Sequence, residues 1–173
     1  MTARQKFTVL QDFHDFELRE YEACVLAEIS IADDFDGAMS KAFGSLFRYI
    51  SGNNLNSEKI AMTAPVIAST LSTIDSREWN ISFVMPAGSA MSDLPLPQQS
   101  QVVLRSIPVE KCLAISFRGR ASTKDCERKE AELRAFGRRQ GYELTGETRI
   151  CRFDPPFKPG FLHYNEIVIP IAS

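Results

Sequence analysis

Side chains able to ligate a metal or move a proton are few in this chain. His14, in DFHDF, and His163, in FLHYNE, are the only imidazoles, and only the fold can bring them together. The four cysteines, Cys24, Cys112, Cys126 and Cys151, form no CxxC pair and have no histidine at metal-ligand spacing. They read as buried reduced thiols acting as small hydrophobes, with a ligating or redox-active thiol as the alternative. There is no nucleophile elbow, phosphate loop, HExxH or convincing Ser-His-Asp set, so no residue pattern specifies a catalytic reaction. The distinctive residues are apolar. KIAMTAPV (59–66) places Ile60, Met62, Ala64 and Val66 on one side of an extended chain. WNISFVMP (79–86) alternates Trp79, Ile81, Phe83 and Met85 with Asn80 and Ser82. Two strands with one oily face point to a binding module.

The elements that must position these residues occur twice. Val25, Ala27 and Ile29 alternate with Cys24, Leu26 and Glu28, and Leu113, Ile115 and Phe117 alternate with Cys112, Ala114 and Ser116. Each strand runs into a helix. The first has Asp33 or Asp34 as a cap, Phe35, Met39, Ala42, Phe43, Leu46, Phe47 and Ile50 at three- and four-residue steps, and Gly52 as a stop. The second runs from Ser122 to Gly141, with Cys126, Leu133 and Phe136 inward and Glu130 paired with Arg134 outside. Two further strands follow each helix, ending alike in FVMP (83–86) and IVIP (167–170). The expectation is a single α+β domain over 1–173, with similar halves at about 16–86 and 101–171. Its two strand-helix-strand-strand units curl into a distorted antiparallel β-barrel of about eight strands with two long helices, and a ligand cleft lies between the halves. The Pro-, Ser- and Gln-rich stretch 87–101 joins the halves.

Composition narrows the partners. A net charge of −2, with dispersed basic residues, gives no electrostatic reason to expect nucleic acid. No segment approaches the roughly 20 uninterrupted apolar residues of a membrane span, and the N-terminus lacks the apolar core of a secretory signal. The expectation is a cytoplasmic protein with no membrane partner; oligomeric state leaves no trace.

Eight strings occur in the order of one family: FELREYEACVLAE, AFGSLFRYISGNN, KIAMTAPV, SFVMP, LPLP, VVLRSIP, ISFRG and RFDPPFKPGFLHYNEIVIP. Over nearly its whole length the chain resembles the SOUL haem-binding proteins. That resemblance implies a β-barrel with two helices and non-covalent, non-catalytic binding of haem or a related tetrapyrrole, for buffering, transport or sensing. Burying roughly 400 Å² of a porphyrin's apolar surface contributes about 10 kcal/mol, against an association cost of about 4–15 kcal/mol, so micromolar affinity needs no iron ligand. The first place to look is the first helix and the strand after it. There Phe43, Phe47 and Met62 offer apolar contacts, and Arg48 and Lys59 offer propionate partners. The alternatives are ordinary core packing for the first three and solvated surface charge for the other two. His163, where relatives often carry basic residues, is the candidate iron ligand, with His14, Tyr49 and Tyr164 behind it.

The two-unit arrangement is also similar to gyrase-inhibitor-like effector-binding domains. This implies a competing use of Glu166, as a pocket carboxylate for a hydrophobic cation, with Ser82 as its counterpart in the other half. An ion pair of Glu166 with Arg105, Arg118 or Arg152 is the structural alternative. A small hydrolase or haem-modifying enzyme on the same fold, with Glu166 and a tyrosine as acid-base pair, is the third reading.

Overall fold

The computed structural model describes residues 2–155 and 157–173. The chain runs β1 (Ala3–Arg4), β2 (Phe7–Asp12), β3 (Phe16–Tyr21), β4 (Cys24–Ile31), α1 (Phe35–Ile50), β5 (Thr63–Ala64), β6 (Val66–Thr70) and β7 (Trp79–Val84). It continues through β8 (Val103–Ile107), β9 (Glu110–Arg118), α2 (Thr123–Gln140), β10 (Thr148–Arg152) and β11 (Tyr164–Pro170). Among the described residues, β1 and β5 form a short parallel ladder. The other nine strands form one sheet in the order β2-β3-β9-β11-β10-β6-β7-β4-β8. Strand twist curls this sheet into a half-barrel that stays open, with β2 and β8 at its edges.

The order reads alike from both ends of the central β10·β6 pair. β10, β11 and β9 mirror β6, β7 and β4, and the strand that leads into each unit is exchanged: β3 pairs with β9, and β8 pairs with β4. One cross-sheet row of partners is Ser116, Glu166, Cys151, Ile67, Ser82 and Glu28. Its midpoint lies between Cys151 and Ile67, so Ser82 is the positional counterpart of Glu166.

Alternation sorts the two faces of the sheet. Val25, Ala27 and Ile29 of β4, Ile81 and Phe83 of β7, Leu113 and Ile115 of β9, and Ile167 and Ile169 of β11 share the main core, on which both helices pack. Asp34 caps α1 by accepting from the Gly37 amide, and Phe35, Ala38, Ala42, Leu46 and Ile50 form its buried stripe. Shortening Leu46, fully buried in that stripe, removes about 2–5 kcal/mol. α2 starts at the Ser122 cap and stops at Gly141, whose φ of 79° is left-handed backbone that favours glycine. Cys126, Leu133 and Phe136 point inward from α2, and Arg134 reaches Glu130 at 2.9 Å.

KIAMTAPV differs from the expected continuous strand. Its first residues fold back onto the end of α1, where the Ile60 amide donates to the Ile50 carbonyl (2.7 Å), Thr63–Ala64 pairs with β1, and only Val66 joins the main sheet, as the first residue of β6. The opposite sheet face, free of helices, is not an oily hollow either. Apolar residues such as Leu26, Ile67, Val84 and Val168 share it with Arg19, Glu28, Arg105, Arg149 and Glu166. The N-terminal arm crosses it: the Arg4 guanidinium lies 4.9 Å from the Phe153 ring centroid, and Phe7 packs on Tyr21.

Candidate functional site

The sequence candidates fall in three places. Phe43, Phe47 and Arg48 lie on the C-terminal half of α1, and the loop that carries Lys59 returns to the end of that helix, where the Ile60 amide donates to the Ile50 carbonyl. Helical spacing puts Phe43 and Phe47 on one ridge, their rings near-parallel with centroids 6.0 Å apart. Phe43 also meets buried Phe83 edge-on at 5.3 Å, so it links the core to the surface, while Phe47 keeps 50% of its area exposed. Exposed Arg48 lies next along the helix and donates to Ser45 (3.2 Å). Lys59 is brought alongside by a loop pinned to the helix end. Fully buried Asn54 donates from Nδ2 to the Tyr49 and Glu58 carbonyls (2.9 and 2.8 Å) and accepts from the Glu58 amide (3.1 Å). Met62, half-buried, packs against the main core.

The LPLP turn meets the end of α1 and the loop after it, a contact that its reading as a mere connection missed. The Leu55 amide donates to the Leu96 carbonyl (3.0 Å), and the Tyr49 hydroxyl donates to the Pro95 carbonyl (2.7 Å). Leu55 and Leu96 remain 61% and 63% exposed. A leucine that the fold leaves out alternates with proline here, which is the signal the sequence carried. Exposed apolar groups beside two exposed cations suit a flat apolar ligand bearing carboxylates, so the residues present fit a haem.

Glu166 lies on the other face of the sheet. Its partner is Arg19, not the arginines expected: Nη1 and Nη2 donate to the two carboxylate oxygens at 2.8 Å each. Tyr164 donates a third hydrogen bond (2.8 Å), and Arg19 also reaches Glu17 (2.6 Å) and the Tyr21 hydroxyl (2.9 Å). Burial opposes the guanidinium charge, yet these partners hold Arg19 above its ordinary range; burial, then the Glu166 charge, raises Tyr164. A cavity of about 260 Å³ opens above the pair, under Arg4, Gln5 and Phe7 of the arm. With both its oxygens engaged, Glu166 has an internal cation in the place a ligand cation would take. The alternation of Glu17, Arg19 and Tyr21 in FELREYE was the signal for this pairing, but no local rule names a partner so distant in sequence.

His163 stands in a third place, just before β11. Its Nε2 lies 2.7 Å from the Lys158 carbonyl oxygen and acts as a donor there, which leaves Nδ1 as the free ring nitrogen. The start of α1 is nearby and Phe47 is eleven residues further on, roughly 16 Å along the helix axis. His14, on a turn with φ of 76°, has a solvent-exposed side chain. The fold therefore brings neither imidazole to the Phe43–Phe47 surface. The thiols are quiet: burial pushes Cys112 and Cys126 up to about 12.

A half-barrel with helices on one face and an apolar, cation-flanked surface defines a small-molecule-binding protein. The model of the family described as SOUL heme-binding protein matches residues 2–170, and the chain belongs to that family. It is 29% identical over 149 residues to Heme-binding protein 1 of Xenopus laevis, covering 83% of this chain and 77% of that one. Among solved structures it is similar to the EcmrR C-terminal domain, with a TM-score of 0.73 and 14% identity over 94% of this chain and 99% of that one. A protein described as a hydrolase from Listeria innocua gives a TM-score of 0.66 and 16% identity, over 94% of each chain. At those identities the two structures show a shared fold alone.

Proposed function

We propose that this chain holds haem or a closely related tetrapyrrole, without covalent attachment, on the surface formed by α1, the loop after it and the LPLP turn, and that it serves to buffer or carry the ligand. The observation that supports this reading most is the stacked Phe43–Phe47 ridge of α1, with Phe47 half exposed, on a helix whose last turn carries exposed Arg48 and receives the loop that bears Lys59. The porphyrin face rests on the apolar groups, its propionates meet Arg48 and Lys59, and the iron takes no ligand from either histidine. A thioether attachment of the CxxCH kind has no cysteine pair to form on. Titration of the purified protein with haemin, followed at the Soret band, tests the reading. A saturable band that weakens in Phe47→Ala and in the Arg48→Ala, Lys59→Ala pair is the expected result; affinity unchanged in all of them refutes the site.

The cation reading of Glu166 draws less support, because its carboxylate is already neutralised by Arg19. Among the described residues, no arrangement favours a particular catalytic step.

A further inference from the structure

Both helices begin at the same end of the molecule, around a cavity of about 590 Å³ lined by Asp36 of α1, Ser122 at the cap of α2, Arg152 at the end of β10, and Arg120, Lys158 and His163. That volume suits a small organic molecule. Its charges are unequally spent. Lys158 is held by Asp154 (2.8 Å), and His163 bonds the Lys158 carbonyl. Arg152 lies over the Phe35 ring, 4.7 Å from its centroid, and of its five N–H donors one reaches the Ala121 carbonyl (3.2 Å). The nearest carboxylate, Asp36, is 3.8 Å away and largely in solvent. Arg120 has no ion pair among the described residues and lies across Gly160, where a Cβ would fall 2.5 Å from its Cγ. The Ser122 cap serves the Asp125 amide (3.1 Å), and the Thr123 and Lys124 amides have no partner among the described residues, so the positive end of α2 adds to the wall. Phe157, 89% exposed, stands at the rim.

We propose that this cavity is a second, separate binding site, which takes the oxyanion of a small molecule with an apolar body: a carboxylate or phosphoryl group at the guanidinium forks of Arg152 and Arg120, and the body against Phe157. Guanidinium forks match either oxyanion two bonds at a time, and the under-paired guanidinium of Arg152 is the feature that asks for one. The bound anion takes the place that Asp36 holds loosely. The cavity lies roughly 16 Å along α1 from Phe47, apart from the surface proposed for haem, and its standing as a second site rests on that reading.

The test is an amide-resolved NMR titration at fixed ionic strength with phenyl phosphate, benzoate and inorganic phosphate as separate probes. Saturable shifts at Ser122, Thr123, Gly160 and His163 are expected, with phenyl phosphate and benzoate reporting which oxyanion is preferred and inorganic phosphate binding more weakly than phenyl phosphate. Arg120→Gln, at an exposed position and harmless to folding, weakens the aromatic probes at least about tenfold, and Arg152→Gln does the same where it folds. Arg139→Gln, at the far end of α2, leaves them unchanged. Shifts that fail to saturate, or that Arg120→Gln leaves intact, overturn the proposal. So does displacement of phenyl phosphate by one equivalent of haemin, since the cavity would then be part of the tetrapyrrole site.

Discussion

Arg19 and Glu166, 147 residues apart in sequence, face each other across the helix-free side of the sheet through two parallel hydrogen bonds of 2.8 Å, and both are 4% exposed. β3 supplies the arginine to the β9 edge, beyond which β11 supplies the carboxylate, so the exchanged lead strand is what makes the pair possible.

Removing one partner strands the other. Glu166→Ala leaves the buried guanidinium with only the partly exposed Glu17 as counter-charge and is expected to cost up to about 3 kcal/mol in denaturant unfolding, whereas Arg19→Met with Glu166→Leu is near neutral. A double variant as unstable as Glu166→Ala would show that the loss comes from packing and not from charge. Haemin affinity, measured where Glu166→Ala is still folded, stays at the parent value.

The loop that carries Lys59 depends on one amide side chain. Asn54→Ala leaves the Tyr49 and Glu58 groups without their partner and is expected to cost about 1–3 kcal/mol. Faster amide exchange over residues 51–60 accompanies it, together with weaker haemin binding. Unchanged exchange in that loop would mean that the backbone contacts alone hold it.

Alkaline pH is expected to weaken the fold. The Cys112 and Cys126 thiols titrate near about 12 when folded, and near about 8.5 when unfolded. The unfolded chain therefore loses these protons first, so stability that is full below about pH 8.5 declines as pH climbs toward 12. Comparing denaturant midpoints at about pH 8 and about pH 10.5 reads this out, and replacing both cysteines by alanine should lessen the decline, with buried Cys151, whose thiol burial also raises, supplying much of the rest. An equally steep decline in that variant would assign it to other groups, Cys151 first among them and then Tyr21, since burial raises its hydroxyl too.

His163→Ala is expected to leave the Soret position and intensity unchanged, because the imidazole donates to the Lys158 carbonyl and stands apart from the α1 surface. A shifted band on that substitution would make His163 an iron ligand.

Much of the fold was legible because it rests on local rules. The alternation in β4 and β9, the 3.6-residue stripe of α1, and the Ser122 and Gly141 ends of α2 each follow from one short stretch of chain. The repeat of FVMP as IVIP gave the architecture. Less legible were features that depend on distant partners: Arg19 opposite Glu166, the arm laid across the sheet, and the loop that keeps residues 59–62 out of the main sheet. KIAMTAPV illustrates the limit, for its alternation is that of one strand, yet the Ile50 carbonyl and β1 claim residues 60–64 and only Val66 enters the main sheet. Of the proposed site, the shared ridge of the two phenylalanines could be read from helical spacing, but the meeting of the loops that carry Leu55 and Leu96 could not.

Paramagnetic broadening of assigned amide signals by ferric haemin tests the central claim most directly. Broadening is expected to centre on residues 43–48, 55–62 and 94–98, and to weaken in Phe47→Ala. Broadening centred on Arg19, Tyr164 and Glu166, with the α1 signals left sharp, would place the ligand on the opposite face of the sheet and contradict the account.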